Sequence, residues 1–139
     1  MSTSISLRIN PEALSKPKGY SHISASEGIQ VCVAGQVAID KDGNTVGIGD
    51  FSAQAEQAFA NVAIALESVG ATFKSLLHLT IYCAESVRPQ DLAHLGGPLK
   101  RRVEEGDPPP ITLLFVSRLL NPDWLIEVQA TAAVAEIKS

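Results

Sequence analysis

Glu127 is the one charged side chain in the body of the two apolar runs near the end of the chain, Ile111-Thr112-Leu113-Leu114-Phe115-Val116 and Leu125-Ile126-Glu127-Val128-Gln129-Ala130. A carboxyl set among leucine and isoleucine has its ionised form disfavoured by desolvation, which is the property a general acid–base uses. The same residue on a solvated strand is an ordinary surface carboxylate, and the residues alone leave both readings open. Tyr20 and Tyr82 are candidate hydroxyl donors, each equally at home at the rim of a core. His22, His78 and His94 stand at no ligand spacing with one another, with Cys32 or Cys83, or with a carboxylate, so no metal site is predicted. Gly47-Ile48-Gly49 lacks the third glycine of a dinucleotide loop, and no G-x-S-x-G nucleophile turn occurs.

Strands have to position Glu127. Pro108-Pro109-Pro110 leads stiffly into Ile111, because proline fixes φ and has no N–H. Asn121-Pro122-Asp123 then turns the chain, so the last two runs are predicted as a strand pair. In the second run Leu125, Glu127 and Gln129 alternate with Ile126, Val128 and Ala130. Upstream, Ser6 to Ile9 reads as a short strand, Asn10-Pro11-Glu12 as a turn or brief helix, and Tyr20–Ala25 with Ile29–Ala34 as a hairpin. Gly35 interrupts that hairpin's second strand, which marks a bulge or a close backbone approach, and Val37-Ala38-Ile39 continues it. A helix follows, capped by Asp50 or Ser52, with Ala55, Phe59, Val62, Leu66 and Val69 as its apolar stripe, Gln54 and Asn61 outside that stripe, and Gly70 as its stop. Leu76 to Cys83 alternates as a strand, with His78, Thr80 and Tyr82 on its polar side. A weaker helix is predicted from Gln90 to Val103, interrupted by Gly96-Gly97-Pro98 and ended by Gly106-Asp107. This order makes an α+β layer with both helices on one sheet face. Most strands read as apolar on both sides, so a symmetric oligomer packing its sheets together is expected to cover the other face.

A chain of 139 residues suits a single domain over 1–139 with a real core. A net charge of −4 argues against a nucleic-acid or anionic-membrane binder. Lys100-Arg101-Arg102, followed by Glu104-Glu105, reads as a solvated helix end. The two cysteines make no disulfide framework, and each sits in an apolar run as a small hydrophobe. No run is long enough to span a bilayer and the start lacks a signal-peptide pattern, so a cytoplasmic protein is expected.

Taken in order, several segments resemble the RidA family (also called YjgF/YER057c/UK114). They are Asn10-Pro11-Glu12, Gly19-Tyr20-Ser21-His22, Val33-Ala34-Gly35-Gln36-Val37, Gln54 to Leu66 with Asn61, Gly70-Ala71-Thr72, Leu79-Thr80-Ile81-Tyr82, Pro109-Pro110-Ile111-Thr112 and Leu125 to Ala130. The resemblance implies a chorismate-mutase-like fold with a mixed β-sheet. It also implies a homotrimer whose sheets surround a central barrel, with clefts between neighbouring subunits. Active members of the family hydrolyse amino-acid-derived enamines and imines to ketoacids and ammonia without metal or cofactor. An arginine there binds the substrate carboxylate and a glutamate on the last strand handles water.

Carried over by motif, the arginine position falls on Ile111, the glutamate on Glu127 and the cleft tyrosine on Tyr20, with Ala34-Gly35-Gln36 where the family has Ser-Gly-Gln. Two departures bear on the substrate. Ile111 cannot supply a charge-assisted pair, and Ala34 removes a hydroxyl. Arg118 stands an odd number of residues from Ile111 and is a poor substitute. The second-helix asparagine of the family reads Gly96. The expected protein is a small-molecule enzyme with Glu127 and Tyr20 as catalytic groups, and Gly35, Ala34, Ile111, Thr112 and Leu113 lining the substrate pocket. It would need no cofactor, and its substrate would be more apolar than an amino-acid imine. The alternative from another class is a non-catalytic trimeric protein that binds a small ligand or a partner.

Overall fold

Alternation along Leu76–Ala84 (β4) buries Leu79, Ile81 and Cys83 on one side and leaves His78, Thr80 and Tyr82 half-buried on the other. A strand with one apolar face needs a layer to cover that face, and the helix Phe51–Glu67 (α1) supplies it. The computed structural model describes residues 7–103 and 107–138. Ser6, predicted in the first strand, and Glu104, Glu105 and Gly106, predicted at the end of the second helix, lie outside them.

The strands are Leu7–Ile9 (β1), Ile23–Ala25 (β2), Ile29–Gln36 (β3), β4, Ile111–Val116 (β5) and Ile126–Val134 (β6). β3, β6, β4 and β5 form one sheet in that order, with β4 and β5 parallel and the other pairs antiparallel. This is the mixed sheet expected. Three pairings differ from the sequence reading. β2 pairs with β1, not with β3, as Leu7↔Ala25 and Ile9↔Ile23. β5 and β6 are not neighbours, because β4 lies between them. After Gln36 the chain leaves the ladder, keeping only an isolated bridge between Ile39 and Thr45.

α1 forms as its pattern predicts. The Asp50 side chain accepts from the Ala53 amide at the N-terminus, and Ala55, Phe59, Val62 and Leu66 are buried. Gly70 stops the chain past the helix at φ 81°, a conformation that glycine adopts without strain. The second helical segment is divided, but at Leu95: a 3₁₀ stretch Pro89–Leu95 is followed by a single short helix Gly96–Lys100 (α2), so Gly96-Gly97-Pro98, expected to interrupt the helix, instead form its start. Arg101, which caps the end of α2, pairs with Glu56 on α1.

Gln54, placed outside the apolar stripe by spacing, is fully buried. Its Nε2 donates to the Gly47 and Asp123 carbonyls at 3.1 and 2.9 Å, and its Oε1 accepts from the Leu125 amide at 2.9 Å. One amide thus ties two loops to α1 next to the start of β6. Asn61 does similar work two turns further along the helix, donating to the Val37 and Ile39 carbonyls. Gln54→Ala should lower stability by about 1–3 kcal/mol, because it empties a buried site and removes three part-buried hydrogen bonds to backbone groups that solvent partly reaches. Urea unfolding checks this: a lower midpoint with an unchanged slope is expected, and an unchanged midpoint would show that water replaces the amide.

The cysteines divide. Cys83 is buried, and desolvation pushes its thiol up to about 11, so it stays neutral as the small hydrophobe expected. Cys32 is exposed on β3, contrary to that expectation, because odd-numbered Val31 and Val33 take the inward positions.

Candidate functional site

Glu127 lies on the sheet face away from α1, half-buried, opposite Tyr82 in the β6–β4 register. That face is polar. Tyr82 Oη donates to Gln129 Oε1 at 3.1 Å, and His78 Nε2 stands 3.0 Å from Thr112 Oγ1. The expectation of strands apolar on both sides is therefore corrected: β4 and β6 present His78, Thr80, Tyr82, Glu127 and Gln129 outward, and Leu114 on β5 is the large apolar residue among them. Glu127 is not set among leucines. Its neighbour is backbone.

That backbone is Gly35. The β3–β6 register runs Val33↔Ala130 and then Gln36↔Val128, so Ala34 and Gly35 together face one residue of β6. This is a β-bulge, one of the two outcomes foreseen for an isolated glycine. The other holds as well, because a Cβ added at Gly35 would fall 2.1 Å from Glu127 Oε2. The carboxylate rests directly on the glycine, and only glycine leaves room for it. Ala34 beside it is exposed, and its carbonyl accepts from Gln36 Nε2.

Tyr20 belongs to a second cluster. Its ring meets His22 edge-on, with centroids 5.4 Å apart. The loop that carries it is closed by His22, whose Nε2 lies 2.7 Å from the Ser15 carbonyl and whose amide donates to Asn10 Oδ1. Buried Ser21 fastens the loop to the proline run. Its Oγ donates to the Pro108 carbonyl at 2.7 Å, and its amide to the Pro109 carbonyl. Tyr20 therefore sits by the entry to β5, and with it Ile111. Sequence reasoning assigned no role to Ser21 or His22. The signal was the polar run Tyr20-Ser21-His22 inside what was read as a strand.

Ile111 and Leu113 pair with Leu79 and Ile81 and pack against the core, on the side of α1. Thr112 takes the opposite face, beside His78. Within one chain, then, Ile111 and Leu113 face away from Glu127, and the predicted pocket of Glu127, Tyr20, Gly35, Ala34, Ile111, Thr112 and Leu113 divides into two groups. Glu127, Gly35 and Ala34 are on the open face over β3 and β6, with Thr112 on the same face at the far edge. Tyr20, Ile111 and Leu113 gather at the start of β5. Arg118 lies beyond β5 and donates to the Leu119 and Leu120 carbonyls, so it offers nothing to Ile111's position. No group of three or more metal-ligating side chains occurs among the described residues, and no helix of theirs is long and apolar enough to cross a membrane.

Residues 11–134 match the family model described as Endoribonuclease L-PSP. A solved structure, YyfB of the Rid protein family from Yersinia pestis, is 33% identical, with a TM-score of 0.85 over 93% of this chain and 98% of that one. A RutC family protein of Pyrococcus abyssi is 29% identical over 121 residues, which is 87% of this chain and 91% of the relative. Rv2704 of Mycobacterium tuberculosis, from the YjgF/YER057c/UK114 family, is 25% identical, with a TM-score of 0.61 over 83% of this chain and 86% of that one. The ordered motifs, the mixed sheet with helices on one face and a family match across nearly the whole chain agree: this chain belongs to the RidA (YjgF/YER057c/UK114) family.

Proposed function

We propose that the chain acts as a homotrimer whose inter-subunit clefts carry out acid–base chemistry on an imine, an enamine or a related carbonyl compound. The observation that carries this is the Glu127 carboxylate seated on Gly35 at a bulge, on an open polar face. A carboxylate held against backbone is positioned to take a proton from water and return it to a leaving amine. Hydrolysis of a C=N bond needs only that: water adds to carbon, the proton moves to nitrogen, and ammonia or an amine departs. No redox change is involved.

The separation of the two clusters supports a shared cleft. Glu127 from one copy and Tyr20 with Ile111 from its neighbour would complete one site that a lone chain leaves divided. Association would also cover the outer face of the β1–β2 hairpin, where Leu7, Ile9 and Ile23 are exposed by 60%, 45% and 40%. Light scattering at micromolar concentration should give three times the mass of the chain, and a stable monomer would remove the shared cleft. RNA cleavage, which the family model's description names, is a poorer fit for a chain of net charge −4 with no basic field to gather a polyanion.

Ile111 directs the substrate away from short α-imino acids. Without a charge-assisted pair on the carboxylate, deamination of 2-iminopropionate should run at least about tenfold below an arginine-bearing relative, as expected for losing about 1.5–3 kcal/mol per hydrogen bond to a charged group. Ammonia release measured side by side tests this. Equal rates would mean that the carboxylate is held elsewhere, and binding without any turnover of imines would make the protein a ligand-binding trimer.

A further inference from the structure

Arg8 is a cation that the fold buries and then leaves half unused. Its side chain is only 7% exposed, yet it points inward from β1 in a hairpin whose outward residues are apolar. Nη1 is well engaged, donating to Ser24 Oγ at 2.8 Å and to the Leu76 carbonyl at 2.7 Å. Nε and Nη2 are buried and have no hydrogen-bond acceptor among the described residues. Asp107 Oδ1 stands 3.4 Å from Nε, close enough for an ion pair, and its side chain is 48% exposed. Desolvation lowers the guanidinium's pKa, and Asp107 pulls it back up.

A structural staple accounts for Nη1 alone. Nε and Nη2 form the other edge of the guanidinium, the side-on fork that matches a carboxylate with two parallel hydrogen bonds. Asp107 meets that fork only through Nε, as a long ion pair, and a buried guanidinium edge with no hydrogen bond is costly until a partner completes it. The fork's location is equally specific. Asp107 runs directly into Pro108, Pro109, Pro110 and Ile111, and the Pro108 and Pro109 carbonyls hold Ser21, the neighbour of Tyr20. Arg8, Tyr20 and Ile111 are therefore organised by one five-residue segment.

We propose that the Arg8 fork is the anion-recognition site of this cleft, taking a substrate carboxylate in exchange for Asp107. The substrate class follows from where the fork sits. Nη1 bonds the Leu76 carbonyl, three residues before Leu79, and Leu79 is the register partner of Ile111. Three strand residues span about 10 Å. A carboxylate at Arg8 is thus separated by several bonds from a carbon reacting near Ile111, so the substrate is a carbonyl-derived imine or enamine with a distal acid, not an α-imino acid. The word substrate rests on the function proposed above; the anion site does not.

Calorimetric titration at low salt separates the two. The probes are 7-oxooctanoate and its neutral methyl ester, with the full-length protein. The acid should bind about tenfold tighter than the ester or more, as a bidentate charge-assisted pair provides. Arg8→Met should abolish that preference and Asp107→Asn should widen it, by removing the competing carboxylate. Acid and ester binding alike, neither binding, or a preference that survives Arg8→Met would each overturn the site. If Arg8→Met fails to fold because Ser24 and Leu76 lose their donor, Asp107→Asn decides: a wider preference supports the site, and an unchanged or narrower one overturns it. An acid preference without turnover of any imine would keep the site and remove the enzymatic reading. Turnover of neutral imines without an acid preference would do the reverse.

Discussion

Glu127→Gln should cut turnover about a hundredfold or more while the fold and its melting temperature stay unchanged. Glutamine keeps the size of the side chain and much of its hydrogen bonding, but it cannot exchange a proton. Removing a positioned general acid–base costs about 10²–10⁴ in rate. The structure supplies the second half of the expectation. Among the described residues Glu127 makes no ion pair, and it lies half-buried against Gly35, so the neutral amide loses no structural partner. Turnover of an accepted imine or enamine is measured beside thermal unfolding at neutral pH. A variant that melts far lower yet keeps its rate per folded molecule would show that the carboxylate holds the bulge together and performs no chemistry.

Gly35→Ala should produce nearly the same kinetic loss by a different physical route. The new methyl would need the space where Glu127 Oε2, Cδ and Cγ now lie, at 2.1, 2.7 and 2.8 Å. Gly35 is not among the glycines with positive φ, so alanine is compatible with the backbone and the clash is with the side chain alone. The free end of a glutamate can swing aside, so the fold survives while the carboxylate moves by an ångström or more. Misplacement on that scale costs on the order of a hundredfold in rate. The two changes act on one group, so the double variant should be little worse than either single one. A double-mutant cycle in kcat/KM reads this directly. Losses that multiply, or Gly35→Ala at full rate, would separate the glycine from the chemistry and leave it a bulge residue only.

How much of this was legible in the sequence differs from element to element. α1 was, because an apolar stripe at spacings of three and four, an aspartate before it and a glycine after it are all local signals. So was β4, since alternation of Leu79 and Ile81 with His78, Thr80 and Tyr82 specifies which side is wet. The bulge at Gly35 was legible as a pair of alternatives, and both hold. Gln54 was misplaced because a helical stripe is read from apolar residues, while the loops at Gly47 and Asp123 bury an amide that happens to satisfy them. The β2–β3 hairpin was misread because a turn at Glu27-Gly28 between two β-rich runs looks like a hairpin turn whether or not the runs pair.

By itself the sequence determined the α+β class, the identity of α1 and the main strands, the family and the two residues, Gly35 and Glu127, on which the chemistry is proposed to depend. The class and the elements follow from spacing along the chain, which sets which side each residue faces before any partner is present, while the family and the roles given to Gly35 and Glu127 follow from the ordered motifs that resemble it. Only the tertiary structure decided which strands are neighbours, and that decision carries the rest. With β4 between β5 and β6, Ile111 turns to the core and Glu127 to the open face. With β2 on β1, Arg8 turns inward, its fork in a long ion pair with Asp107 and without a hydrogen bond. Strand partners are chosen by contacts between segments tens of residues apart, where burial and register are settled jointly. No local pattern encodes that choice, so the seating of Glu127 on Gly35 and the burial of Arg8 exist only in the folded chain.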